Sequence, residues 1–286
     1  MINKITIIFL IIFNLIIFKA FGEDQINFDV SEIEILDGGD KIIGKNRGII
    51  TTNNGIIIEA DEFEFDKIAN FLKAKGNILI KDQLNDYELS AQNISYDKDK
   101  EKIQIKGKAE ALIDNNFEFK TEDATILRDE MIISSDIGAT ILDKINQSRY
   151  EVGSFNYAVR ERILKGEKIF INTKYNQPFS DKYFFKSAIF NLENQNYIAQ
   201  DINIDFRKDI FDNENNDPRF KGLSSSSKNG ITTINKGVFT SCKKNDGCPP
   251  WTIKADKITY DKSKKQINYD NAIVKIYDMP VFYFPK

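Results

Sequence analysis

Few side chains in this sequence are suited to chemistry, and their spacing narrows what that chemistry would be. Cys242 and Cys248 flank a turn-rich stretch in Ser241-Cys242-Lys243-Lys244-Asn245-Asp246-Gly247-Cys248-Pro249-Pro250. In an oxidising space such a pair could close a local disulfide, whose short loop would contribute about 2 kcal/mol, enough to pin a corner but not to hold a fold. Pairing with a cysteine of another chain is also open. Two thiolates without a histidine fall short of a zinc site. Adjacent carboxylates, Asp61-Glu62 and Glu122-Asp123, are the residue types of glycosidic-bond hydrolysis and would suit a β-solenoid carbohydrate enzyme. With 43 acidic residues in a chain of 286, such neighbours arise by chance. The absence of histidine removes the commonest general base and neutral metal ligand, and excludes a Ser-His-Asp hydrolase in its usual form. The expectation is a protein that is not an enzyme, with no catalytic residue, cofactor or metal.

What the chain's elements position is therefore an apolar surface. A unit written apolar-x-small-x-x-apolar-x-apolar recurs as Ile58-Glu59-Ala60 with Phe63 and Phe65, Leu89-Ser90-Ala91 with Ile94 and Tyr96, and Ile253-Lys254-Ala255 with Ile258 and Tyr260. Weaker copies lie on Phe119-Lys120-Thr121, Tyr150-Glu151-Val152 and Phe185-Lys186-Ser187. The small position steps through 60, 91, 121, 152, 187 and 255, with a last interval of about two units. Self-similarity of this length marks stacked units that cannot bury an apolar face alone. Nearly every segment alternates with period two and draws on Ile, Phe, Tyr, Val and Thr, which predicts strands. Within a unit the alternation slips by one, so Gln92-Asn93 must hold a bulge or corner for Leu89, Ala91, Ile94 and Tyr96 to share one face. Each unit reads as a hairpin, returning through charged turns such as Asp97 to Lys102, with Gly76, Gly107, Gly138 and Gly166 placed after return strands. Stacked hairpins give an all-β fold of two facing sheets, an elongated jelly roll or folded slab. The inward positions of its middle units are Ile78, Ile80, Ile94, Tyr96, Ile103, Ile105, Phe117 and Phe119.

Residues 1–22 read as an export signal: Lys4, an apolar run from Ile5 to Phe18, then Ala20-Phe21-Gly22 at a plausible cleavage point. Its removal takes Lys4 and Lys19 from the 40 basic residues, leaving 38 against 43 acidic ones, a balance that argues against a nucleic-acid binder. The repeats then occupy residues 23–206 as one domain. Residues 207–250 form a loop-rich segment with the cysteine pair, in which Asp212 to Pro218 and Ser224 to Ser227 read as surface loop. Residues 251–286 hold a last hairpin and a junction. The aromatic strand ending at Pro285-Lys286 reads as an interruption, with more chain expected beyond it.

The C-terminal third carries a resemblance. Pro218-Arg219-Phe220-Lys221-Gly222, Gly237-Val238-Phe239-Thr240-Ser241-Cys242, Pro250-Trp251-Thr252-Ile253-Lys254-Ala255, Tyr269-Asp270-Asn271-Ala272 and Met279-Pro280-Val281-Phe282-Tyr283-Phe284-Pro285 together resemble the junction of the outer-membrane lipopolysaccharide-assembly family, LptD or OstA. The repeats upstream look like its periplasmic jelly roll. The resemblance implies a module that receives lipopolysaccharide from similar jelly-roll domains, joined by edge-strand addition, and shields its acyl chains between two sheets. It would then deliver the lipid to a barrel and its plug lipoprotein. The eight inward residues named above would be the lipid-binding set, and the site of action the periplasm, at the outer membrane. No barrel strands lie within the sequence, so a soluble bridging protein of the same pathway is the alternative. The family's disulfides join jelly roll to barrel; here both cysteines stand together before the junction, which favours a local bridge. Trp251 would anchor an interface or fill a domain corner.

Overall fold

The computed structural model of the protein describes residues 26–53, 55–208, 216–244 and 250–285; residues 1–22, expected as an export signal, lie outside them. The strands are β1 (Ile26–Leu36), β2 (Lys41–Thr52), β3 (Ile56–Ala60), β4 (Glu62–Asp66), β5 (Phe71–Asp82), β6 (Tyr87–Asp97) and β7 (Lys102–Ile113). There follow β8 (Phe117–Leu127), β9 (Ile132–Ser135), β10 (Ala139–Asp143), β11 (Ser148–Val152), β12 (Ser154–Ala158), β13 (Ile163–Thr173) and β14 (Lys182–Asn191). The last are β15 (Tyr197–Asp205), β16 (Arg219–Lys228), β17 (Ile231–Thr240), β18 (Trp251–Asp261), β19 (Gln266–Asp270), β20 (Ala272–Ile276) and β21 (Met279–Phe284). All are antiparallel in one continuous sheet, as expected for an all-β slab. A parallel solenoid is thereby set aside.

The sheet is a ladder of long rungs, each bent in its middle. The pairs β3 and β4, β9 and β10, β11 and β12, and β19 and β20 are single rungs interrupted at the bend: β2 pairs with both β3 and β4, and β13 with both β11 and β12. The bends line up as a crease that divides the sheet into two layers. Layer 1 holds, for example, residues 71–75, 93–97, 102–106 and 123–127, and layer 2 holds 78–82, 87–91, 109–113 and 117–121. The slip read from the sequence is this crease, where the register jumps between Ala91 and Asn93. Leu89, Ala91, Ile94 and Tyr96 are accordingly all buried.

Alternate rungs cross the crease through a residue with positive φ: Asn46 and Arg47, Gly76 and Asn77, Gly107, Gly138, Lys168, Asp201, Lys236 and Asn271. The glycines expected after return strands therefore sit within rungs, at the crease or beside it. A sheet that folds back on itself must leave the extended region there, and glycine does so without steric cost. The inward residue nearest the crease must also be small, because the layers converge. A Cβ on Gly222 would lie 2.4 Å from the Ile234 side chain, and one on Gly237 would lie 2.6 Å from Ile258.

Away from the crease, aromatic rings meet across the layers, Phe119 with Tyr157 at 5.1 Å and Phe206 with Tyr260 at 5.2 Å between ring centres. One apolar core runs from Ile42 to Ala272. Ser224 to Ser227, expected as loop, belong to β16 and pair with β15 and β17. That rung is a disguised repeat, Phe220-x-Gly222-x-x-Ser225-x-Ser227, with serines at the apolar positions. Buried Ser225 is satisfied by the Tyr197 hydroxyl at 3.2 Å. Of the other expected loop, Asp212 to Pro218, residues 212–215 lie outside the described residues. Among those described, β1 pairs only with β2 and β21 only with β20, so each end of the ladder is an open strand edge. Both carry exposed apolar side chains, Ile33 and Ile35 at one end and Phe282, Tyr283 and Phe284 at the other.

Candidate functional site

Opposite the crease, the hairpin turns of the two layers face one another along a mouth. Among the described residues, side-chain contacts cross it at successive steps along the ladder. Arg128, in the turn between β8 and β9 of layer 1, reaches Asp82 at the layer 2 end of β5, with Nη2 at 2.8 Å and Nε at 3.0 Å from Asp82 Oδ2. The pair is almost wholly enclosed, the side chains 5% and 0% exposed. Arg128 also pairs with Glu101, which accepts a hydrogen bond from the Tyr96 hydroxyl at 2.9 Å. One turn further along, Arg162 of layer 1 pairs with Asp114 of layer 2 at 3.1 Å and with Glu193 at 3.0 Å. At the next step the Tyr150 hydroxyl of layer 2 donates to Gln195 Oε1 of layer 1 at 3.1 Å.

The following layer 1 turn is Asn229-Gly230, and nothing lies within 4 Å of where a Cβ on Gly230 would stand. Here the layers part around a cavity of about 350 Å³. Its floor includes Ile171 from layer 2 and Phe190 from layer 1, and Tyr150, Tyr183, Tyr197 and Tyr260 line it from both sides. Lys174, Lys262, Lys265 and Arg207 stand at its border with Asp181. Asp181 accepts the backbone N–H of Arg207 at 2.9 Å. Burial holds all four tyrosine hydroxyls above their ordinary pKa. For Tyr183 and Tyr260 the Asp181 carboxylate adds to the effect, and for Tyr150 that of Asp143. These tyrosines are neutral at physiological pH and offer an apolar face with a polar tip. The arrangement suits an elongated apolar group with an anionic end.

The eight residues expected to bind lipid all point inward, each buried. They lie in the front half, under the Arg128 and Arg162 crossings, and none lines the cavity. Sequence reading missed the cavity's aromatic positions, although the signal was present: Tyr150 and Tyr260 occupy apolar positions of the repeat, where the front units carry mostly Ile and Phe. The paired acids serve the crease. Asp61 is held by Arg47 at 3.0 Å and Asn77 at 2.7 Å, and Asp123 by Lys106 at 2.7 Å and the Gly107 N–H at 3.1 Å. Cys242 is half-buried with Sγ 3.8 Å from the Trp251 carbonyl oxygen; Cys248, and with it the expected bridge, lies outside the described residues. Trp251 packs edge-on against Phe239 at 5.9 Å. Among the described residues no group of three or more His, Cys, Asp or Glu side chains is placed to hold a metal ion, and no helix is long and apolar enough to cross a membrane.

No protein-family model matches this chain, and no curated protein matches it.

Proposed function

We propose that the chain is an exported, non-enzymatic carrier of lipopolysaccharide that acts in the periplasm at the outer membrane. Acyl chains enter between the layers, and the phosphorylated head remains at the lysine border. The observation that carries this reading is the aromatic cleft at the mouth, open between two apolar layers and bordered by four cations. Each methylene withdrawn from water there is worth ~0.8 kcal/mol, so affinity requires no covalent chemistry. A cavity of about 350 Å³ is small for several acyl chains, so a full load requires the layers to part further. The resemblance of the C-terminal blocks to the lipopolysaccharide-assembly family supports the same reading. The open edges of β1 and β21 suit strand addition by similar jelly-roll domains, and an assembly barrel with its plug lipoprotein would be the recipient.

The test uses photoreactive benzoylphenylalanine at Phe190, inward in the cleft, and at Phe184, outward on layer 2, each mixed with purified lipopolysaccharide. Labelling at Phe190 alone is the expected result. Equal labelling at both positions would mean contact with lipid aggregates and would remove the carrier function.

A further inference from the structure

The crossings of the mouth follow a rule. Each joins a layer 2 turn to the layer 1 turn one further repeat along the chain: Asp82 with Arg128, Asp114 with Arg162, and Tyr150 with Gln195. The first two are ion pairs of the same polarity, with arginine always on layer 1 and aspartate always on layer 2. At the next step of the same series the layer 1 turn carries Asn229-Gly230 and has no long side chain at its tip to reach across, and the cleft opens there. The two arginine crossings stand over the part of the core where Tyr96, Phe119 and Tyr157 are packed.

We propose that the mouth is a lateral entrance confined to the segment between the turns at 174–181 and 229–230, and that Arg128–Asp82 and Arg162–Asp114 are latches that keep the front half of the interior shut. An amphiphile loads sideways at the cleft, its charged head never crossing an apolar layer. Its passage between the cleft and the β1 end requires the latches to part in turn. The closed state is strongly held at the first latch, because a buried ion pair cannot exchange its partner for water without opening the layers. The second latch is half-exposed and opens more readily. This inference rests on the reading of the cleft as an amphiphile site.

The test places benzoylphenylalanine at Phe190, at Phe184 and, as a front-half probe, at Phe119, which lies beneath the second latch. The probe ligand is purified lipopolysaccharide. In the otherwise native protein, labelling at Phe119 is expected to be about tenfold weaker than at Phe190, the ratio enforced when the closed state is favoured by ~1.4 kcal/mol. In the variant D114N/R162Q, whose replaced groups are half-exposed, labelling at Phe119 is expected to rise toward that at Phe190 while Phe190 is unchanged. Equal labelling of Phe119 and Phe190 in the native background would overturn the latches and leave the carrier reading standing. So would a front half that stays dark in D114N/R162Q and in R128M/D82N, with folding checked by circular dichroism. The native comparison decides the question even if R128M/D82N does not fold. Phe190 labelled no more than Phe184 would instead remove the amphiphile site itself.

Discussion

Arg128 is stabilised by its partners against its own burial. Desolvation alone opposes the charged guanidinium, but the hydrogen bond and negative charge of Asp82 outweigh it, and its pKa is raised. Asp82 has a second duty: Oδ1 accepts the N–H groups of Leu84 and Asn85, both at 3.1 Å, and so shapes the turn after β5. Replacing Arg128 alone, as R128M, leaves that carboxylate enclosed without its cation, and breaking one side of a buried pair typically costs about 3–5 kcal/mol. The double variant R128M/D82N keeps a turn acceptor but removes the stranded charge. Urea unfolding should therefore show R128M to be less stable than R128M/D82N, the reverse of additive losses. At Tyr150 the stake is smaller. Y150F deletes one neutral hydrogen bond to Gln195 and should cost about 1 kcal/mol, with most of the loss absent when Gln195 is already alanine.

At the scale of the rung, stability depends on how closely the layers approach at the crease. Gly222 is inward and has no room, since its Cβ would meet the Ile234 side chain at 2.4 Å and the Asn235 carbonyl oxygen at 3.2 Å. G222V should destabilise by about 1–3 kcal/mol through overpacking, whereas S226V, at an exposed position of the same strand, should leave the urea midpoint nearly unchanged. The same geometry explains what could be read from the chain before its structure. The small residue, the slip and the inward pairs Leu89/Ala91 and Ile94/Tyr96 are all consequences of one bend, so the sequence records them together. The β16 rung was hidden because its apolar positions hold Ser225 and Ser227, whose hydroxyls are satisfied by Tyr197 on β15 and Thr232 on β17. The glycines were misplaced because a residue with positive φ announces a turn but does not say whether the chain reverses there or merely folds. The cleft was illegible for a different reason. It arises where a long side chain is missing from the Asn229-Gly230 turn, and the contacts it lacks are recognised only by comparison with Arg128 and Arg162, whose partners lie 46 and 48 residues away in sequence.

For the molecule as a whole, two sets of groups should make stability fall at the two ends of the pH range, by different physics. Asp97, Glu118, Asp123, Asp217, Asp256 and Asp261 have lowered pKa values, led by hydrogen bonds from Lys100, Lys120, Lys106, Lys244, Lys236 and Ser263. Their contribution is present above the unfolded carboxylate pKa of about 4 and is lost as pH falls through the folded values. These groups are near the surface, so that limb should shrink in high salt. The tyrosines behave in the opposite sense. Burial raises Tyr87, Tyr150, Tyr157, Tyr183, Tyr197, Tyr260 and Tyr269, so their contribution is complete below the unfolded value of about 10 and is lost as pH rises beyond it toward the folded values. This limb comes from desolvation and should persist in high salt, apart from a screened part owed to Lys45, Lys100 and Lys120, whose pKa values are raised by their carboxylate partners. Tyr157 isolates the effect, because its buried hydroxyl has no hydrogen-bond partner among the described residues. Y157F removes a polar atom that makes no compensating bond, so at pH 8 it should match or exceed the native protein in stability, by up to about 1 kcal/mol. Between pH 10 and 11 it should lose less stability than the native chain, since one group that ionises only on unfolding is gone. Urea midpoints for both proteins at these pH values, in low and high salt, test the argument. A Y157F protein less stable than native at pH 8, with the same alkaline slope, would mean that the hydroxyl has a partner across the mouth and that the layers sit closer there than the geometry gives.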